Sequence, residues 1–579
     1  MASPDDCLKS SHAPSSRQPS RQYSEVVELL SFEGCEDLRR AVPLPFVLRN
    51  CAEILASSKG SLQSYNLSLP VRNIDSFISH NWSVGRYRKW WALSFHFNFQ
   101  IAAVASLLAT LLATILTMVG ILPFCQPAHD YIKGVWGRAV GVPVFFLVLL
   151  FGRNIADYFR ARPPYVFLDK VCIHQSDKKI QRRGIMKLGA FLAQSDEMLI
   201  LYTNIYLQKL WTVYEVAAFL LQNAASAYNM KVVPVSLVGM FLAAFWWSYV
   251  QAVAGISLTV LGWNTVWSGL IGLLGGAIYM AAVRTWQRDK LMMQERLLGF
   301  AVRDCRCAID GDRHVVYANI AALVQAFKME GLDCNTSVTT DDALDIFDNV
   351  MRNELRSVFK TAFDWCSFEY HHYLFIGFAM TGMLALDYVA VLPFSDCPRF
   401  HVAGAVMWTH WTLAVWPVIF TSLELLMSFK LAWTGWKELT FTVGASMALV
   451  VFPAVVYDLL TSYLMESATD SNMALALILA LGICSITWAI SALYRDARRA
   501  ARDRSQSRTS SGMNVAKKVT GSALPEEECR SMQSMEDVEH EHGRAKTGCE
   551  TAAAGIGGEA AADWDESNDG SADLSPLAI

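Results

Sequence analysis

Ile101–Leu122 reads IAAVASLLATLLATILTMVGIL, without a charge or a proline. A bilayer's hydrocarbon core is about 30 Å thick, so a helix needs about 20 apolar residues to cross it. The run from Phe99 to Leu122 meets that length. Working outward, a second run follows from Val135 to Gly152, then Val238 to Leu258 and a Gly-rich run from Trp263 to Val283. Four more follow at Tyr373–Leu392, Val402–Met427, Phe441–Tyr463 and Met473–Tyr494. The pattern predicts an all-α membrane bundle of about eight spans in four hairpin-like pairs.

Composition agrees with that expectation. Of 579 residues, 53% are hydrophobic and only 18% charged, and the chain carries 18 Trp and 30 Phe. Aromatic rings suit the bilayer interfaces. A net charge of -4 gives no basic face for nucleic acid. The polar, Ser- and Pro-rich start (MASPDDCLKSSHAPSSRQPSRQ) lacks the basic and apolar regions of a signal peptide.

Lys and Arg near span ends set orientation, the basic side being cytosolic. One side collects Arg86, Arg88, Lys89, Arg153, Arg160, Arg162, Arg284, Arg288 and Lys290, then Lys430, Lys437 and the Arg495–Arg504 cluster. The other side offers only Lys133, Arg138 and Arg399. Both termini are therefore expected in the cytosol, and the sequons at Asn66, Asn81 and Asn335 are expected to stay unglycosylated. Cys125 and Cys397, each alone in an outer loop, are a candidate disulfide pair.

The cytosolic segments between spans read as α/β. Ile74–Ser79 (IDSFIS), Tyr165–Asp169 (YVFLD), Met198–Tyr202 (MLILY) and Lys231–Val235 (KVVPV) are strand-like. Ile180–Ala193 and Leu207–Gln222 are amphipathic helices between them. Such alternation implies a small parallel sheet covered on both faces. The expected division is an N-terminal arm over 1–70, partly disordered, and a first strand region over 71–96. A membrane hairpin over 97–152, the rest of the α/β domain over 153–236 and a second hairpin over 237–284 come next. A helical region over 285–371, four spans over 372–494 and a basic juxtamembrane segment with a disordered acidic tail over 495–579 complete it. Cys305 and Cys307 lack a second ligand pair at metal spacing and read as two ordinary thiols.

The order IDSFISHNW, YVFLDKVCIHQ, MLILYT, LQKLWTVYEVAAFL and KVVPV resembles the TIR domain family, most of all TIR-like domains fused to membrane spans in protist proteins. The resemblance implies a flavodoxin-like parallel sheet, split here by the first membrane hairpin. Thr212 stands where the family has Cys, and Val216 where it has Leu. Beyond KVVPV the chain enters a span, so the family's last helix and strand are missing or remodelled. Members of the family either bind other TIR domains or cleave NAD. On the enzyme's pattern Glu215 would be the catalytic carboxylate, steadying an oxocarbenium-like ribose. Ser79, His80, Asp169, Lys170 and Trp211 would line the cofactor site, with the Lys170–Gln175 loop closing over it. The expected partners are the bilayer and either other TIR-like domains or a second copy of this chain.

A third expectation comes from the spans. Asp387, His410, Glu424 and Asp458 fall within or near them. Acids in lipid are costly and face a bundle interior, where they serve a solute path or bond between helices.

Overall fold

A computed structural model describes residues 30–126, 132–158, 163–222, 229–261, 265–307, 310–329, 339–355 and 370–417, with residues 359, 419, 420, 440 and 444. The expected spans at Phe441–Tyr463 and Met473–Tyr494, the residues Glu424, Asp458 and Asn335, and the acidic tail lie outside the described residues.

The chain begins with β1 (Arg40–Pro43), α1 (Leu44–Ala52), α2 (Leu62–Tyr65), β2 (Leu69–Pro70) and β3 (Ile74–Ser79). A helical hairpin, α3 (Arg86–Met118) and α4 (Trp136–Tyr158), then separates β3 from β4 (Tyr165–Phe167). Next come α5 (Asp169–Cys172), α6 (Lys178–Met186), α7 (Leu188–Ala193), β5 (Ser195–Tyr202), α8 (Leu210–Gln222) and β6 (Met230–Pro234). A second hairpin follows, α9 (Val235–Leu261) and α10 (Thr265–Leu298). The remaining labelled helices are α11 (Asp310–Met329), α12 (Thr340–Val350), α13 (Tyr370–Gly377), α14 (Met383–Ala390) and α15 (Pro398–His410).

The chain is mostly helical around one six-stranded mixed sheet of order β2-β1-β4-β3-β5-β6. β3 lies parallel between β4 and β5, and β5 pairs parallel with β6. Their side chains are apolar on both faces: Phe77, Ile78, Val166, Phe167 and the run Met198–Tyr202 are all buried. Burial on two faces makes such strands near-continuous hydrophobic runs, which is why the four are readable from sequence.

Residues 30–70 do not form the expected arm. β1 pairs antiparallel with β4 and with β2, extending the sheet by two short strands. Pro43 and Pro45 in RAVPLPF argue against a strand, yet β1 is only four residues long and Pro43 ends it, beyond Arg40 and Ala41, the two residues that pair with β2. Between β1 and α2 the backbone is unusual. Asn50, Cys51 and Ala52 have φ of 51°, 56° and 53° in succession. Left-handed backbone costs a non-glycine residue about 1–2 kcal/mol, less for asparagine.

The other helix boundaries also shift. The stretch expected as one helix over Ile180–Ala193 breaks at Lys187 into α6 and α7. α3 begins at Arg86, well before the apolar run, and its first turns pack on the sheet domain through Trp90 and Leu93. Farther along, its polarity is inverted. Ala102, Ser106, Thr110, Ala113 and Thr117 are buried, whereas Val104, Leu108, Leu112 and Ile115 are 55–60% exposed.

The small inner face lets α4 approach closely. Ser106 Oγ donates to the Gly141 carbonyl at 2.7 Å, and Asn98 Nδ2 to the Leu149 carbonyl at 2.8 Å. Among the described residues only Arg86–Met118 is both long and apolar enough to cross a membrane. The expected count of eight is therefore not reached there. Trp136–Gly152, Val235–Gln251 and Met383–Phe394 are apolar over shorter stretches.

Candidate functional site

The carboxyl ends of β3, β4 and β5 converge on one group of side chains. β3 ends on Ser79, which is fully buried and followed by His80, Asn81 and Trp82. β4 leads through Leu168 into Asp169 and Lys170. After β5 a short turn places Tyr206, and α8 then presents Glu215.

Ser79 Oγ donates to Glu215 Oε2 at 2.5 Å and lies 2.5 Å from the Tyr206 hydroxyl. A serine has one proton to give, so the chain of donors runs from Tyr206 to Ser79 to Glu215. No cation neutralises this carboxylate among the bonds that reach it. Burial pushes Glu215 up to about 8, Ser79 opposes the rise, and the charge of Asp169 adds to it. Burial and Glu215 together lift the Tyr206 phenol well above its ordinary 10. The cluster is a carboxyl with raised proton affinity, bonded to the Ser79 hydroxyl that Tyr206 backs.

Asp169 forms the second half. Its Oδ2 accepts from Trp82 Nε1 at 2.9 Å and its Oδ1 from the Lys170 amide at 2.7 Å. Burial raises its pKa, and those donors hold the rise back. Lys89 Nζ sits 4.9 Å above the Trp82 ring. This ammonium is fully buried and has no hydrogen-bond acceptor among the described residues. His80 stands edge-on to Trp82 with ring centroids 4.5 Å apart. Burial and the Lys89 charge push its imidazole down to about 3, so it is neutral.

Five of the expected site residues, Ser79, His80, Asp169, Lys170 and Glu215, thus gather at one end of the sheet. One of them departs from its expected role. The Lys170 ammonium turns away from the carboxylates and donates to the carbonyls of Ile54 at 3.1 Å and Ser57 at 3.0 Å. The Lys170–Gln175 loop is itself covered: His174 packs on Tyr65 at 4.6 Å, and Gln175 lies against Gly60. Trp211 is half-buried one turn before Glu215, its ring edge-on to Tyr214 at 6.1 Å.

Tyr206, Trp82 and Lys89 were not expected. Trp82 was present in the FISHNW landmark, and Lys89 read only as a charge setting orientation. Tyr206 carried no signal. The turn that holds it is pinned from outside: Leu210 N donates to the Arg306 carbonyl at 3.0 Å, and Arg306 N to the Gln208 carbonyl at 2.7 Å. Cys305 Sγ leans on the Leu207 carbonyl at 3.6 Å.

Of the expected intramembrane acids, Asp387 is the one among the described residues. Asp387 of α14 is fully buried, its Oδ2 accepting from Arg138 Nε at 2.7 Å and its Oδ1 from the Gly137 amide at 2.8 Å. Arg138, expected in an outer loop, is likewise buried, and its Nη2 reaches the Gly134 carbonyl at 3.1 Å. Asp387 therefore caps the first turn of α4 and pairs with its arginine. His410 is half-buried on α15. Cys125 and Cys397 are both free thiols, so that pairing is not made.

No family model matches the chain, and neither a curated protein nor a solved structure does.

Proposed function

We propose that this chain is a multispanning membrane protein whose cytosolic TIR-like α/β domain acts as a signalling or protein-interaction module. The observation that carries the reading is α3. One continuous helix packs on the sheet at its start and exposes Val104, Leu108, Leu112 and Ile115 farther along, with serine and threonine inside. A soluble core helix has the opposite arrangement. Helices in lipid pack through small residues and turn aliphatic ones outward. The order of the parallel strands supports the TIR-like part: β4-β3-β5-β6 is 2-1-3-4 in sequence order, the flavodoxin-like arrangement without its last strand. The basic side of the spans is cytosolic, and both termini lie there.

Interaction fits the site better than catalysis does. Steadying an oxocarbenium ion needs an ionised carboxylate, and Glu215 at about 8 is mostly protonated near neutrality. Lys170 and its loop are held by the N-terminal segment. The second reading, an NAD nucleosidase with Glu215 as catalytic group, keeps one observation in its favour. Ser79 and Glu215 meet at the carboxyl ends of the strands, where ligands of doubly wound sheets bind.

The test pairs two measurements on the purified, detergent-solubilised protein. The interaction reading expects concentration-dependent self-association that survives Glu215→Gln, with no nicotinamide released from NAD. Nicotinamide release that Glu215→Gln abolishes would establish the enzyme instead. For topology, a glycosylation acceptor inserted near Cys125 should be used and one near Trp211 should not.

A further inference from the structure

The segment from Asn50 to Ser61 crosses the loop that follows β4, anchored in the core through Ala52, Ile54 and Leu55 and exposed beyond them. Glu53 and Ala56–Lys59 are exposed, and Leu55 is its one deeply buried leucine. Its main polar attachment is a single side chain. Lys170 Nζ donates to two of its carbonyls, Ile54 at 3.1 Å and Ser57 at 3.0 Å. Hydrogen bonds from a charged donor are among the stronger ones available. Against them stands the backbone of Asn50, Cys51 and Ala52, three consecutive non-glycine residues in left-handed conformation. Consecutive left-handed residues are disfavoured for any L side chain and persist only where surroundings impose them.

The covered loop is short of alternatives as well. A side chain at Gly60 would run into Gln175, so the two segments touch without space between them. Gln175 is tied to its own loop through the Ile173 carbonyl at 2.9 Å. Strap and loop thus form one contact with two opposed contributions: strain at one end, an ammonium clamp in the middle.

We propose that residues 50–61 are a sprung latch, closed over the Asp169–Gln175 loop by the Lys170 ammonium and biased to open by the left-handed run at Asn50–Ala52. Opening bares the loop after β4 and frees the Lys170 charge beside Asp169 and Trp82. Neither event requires β1, β2 or the sheet to move. The proposal goes beyond the interaction reading and stands or falls by a different measurement.

Hydrogen–deuterium exchange on the full-length protein in detergent tests it. Lys170→Met removes the clamp and is expected to speed exchange about tenfold, jointly in 53–61 and 169–175, with β3 unchanged. Asn50→Val keeps the clamp but places a β-branched residue in left-handed backbone at an exposed site. It is expected to speed exchange of the same two segments roughly five-fold. Should Lys170→Met fail to fold, Asn50→Val alone decides. A silent Asn50→Val, or exchange rising in one segment and not the other, overturns the latch. Self-association and nicotinamide release play no part in either outcome.

Discussion

Asp387, fully buried, and Glu215, half-buried, are two carboxylates furnished in opposite ways. Asp387 receives a guanidinium and a backbone amide at a helix N-terminus, so both its oxygens and its charge are answered. Glu215 receives only the hydroxyl of Ser79, itself backed by Tyr206. Desolvating a charge is costly unless it is paired. Asp387 meets that demand with a partner, and Glu215 meets it by keeping its proton. The first arrangement belongs to architecture. The second leaves a titratable group whose state depends on its surroundings, which is what a site can use.

The largest effect is expected where the pairing is complete. Arg138→Met leaves Asp387 buried with only backbone donors, and Asp387→Leu strands the arginine. Breaking a buried pair from one side costs about 3–5 kcal/mol. Thermal unfolding of either single variant in detergent should show that loss, and the double variant Arg138→Met/Asp387→Leu should recover much of it. A double variant no better than the singles would mean that the two residues act separately. Next in size is Gly134→Ala. Its added Cβ would strike the backbone carbonyl of Asp387, which has no flexible end to give way. Overpacking of that kind costs about 1–3 kcal/mol, and a neutral result would show that α4 and α14 have slack between them.

The parallel strands were legible because each concentrates β-branched and aromatic residues in a run bounded by turns. IDSFIS, YVFLD, MLILY and KVVPV all fall on strands of the sheet. β1 was illegible because its four residues include Pro43 and gain their place from β2 and from β4, the latter more than a hundred residues away. The same distance hid the ion pair. Arg138 and Asp387 are 249 residues apart, and neither alone names its partner: one reads as an outer-loop base, the other as an acid that serves a solute path or bonds between helices. Around the site, Ser79, Asp169 and Glu215 were named from the resemblance to TIR domains, not from any spacing in the sequence. Tyr206 was not named, since a tyrosine in a turn looks like any other. Lys89 misled because it counts with Arg86 and Arg88 as a charge that sets orientation, while the fold lays it over Trp82.

The comparison sharpens with pH. A carboxyl raised from about 4.5 in the unfolded chain to about 8 in the fold binds its proton more tightly when folded. Stability is then full below about pH 4.5 and falls as pH rises towards 8. His80 works on the acid side, its depressed pKa weakening the fold as pH drops below about 6.5. The interval from pH 6.5 to 8 therefore isolates the carboxyl from the imidazole. Wild-type protein should lose about 2 kcal/mol across it, at about 1.4 kcal/mol per pH unit. Glu215→Gln keeps an acceptor for Ser79 and cannot ionise, so its unfolding midpoint should lie flatter over that interval. Parallel curves for the two proteins would place Glu215 in contact with water after all.

The smallest effect tests the donor chain itself. Tyr206→Phe removes the proton that Ser79 receives while leaving the ring in its buried position. One neutral hydrogen bond is worth about 1 kcal/mol, and that is the expected loss near pH 6.5. The more telling change is in the pH profile. With Tyr206 in place, Ser79 is polarised towards Glu215 and favours its ionised form. Without it, the serine donates less strongly and the carboxyl ionises at higher pH. The alkaline fall in stability should therefore continue to a higher pH in Tyr206→Phe than in the wild type, although the variant starts from a lower value. A fall that levels off earlier would show the phenol opposing the carboxylate through its own desolvated oxygen. The order of donation from Tyr206 to Ser79 to Glu215 would then be wrong.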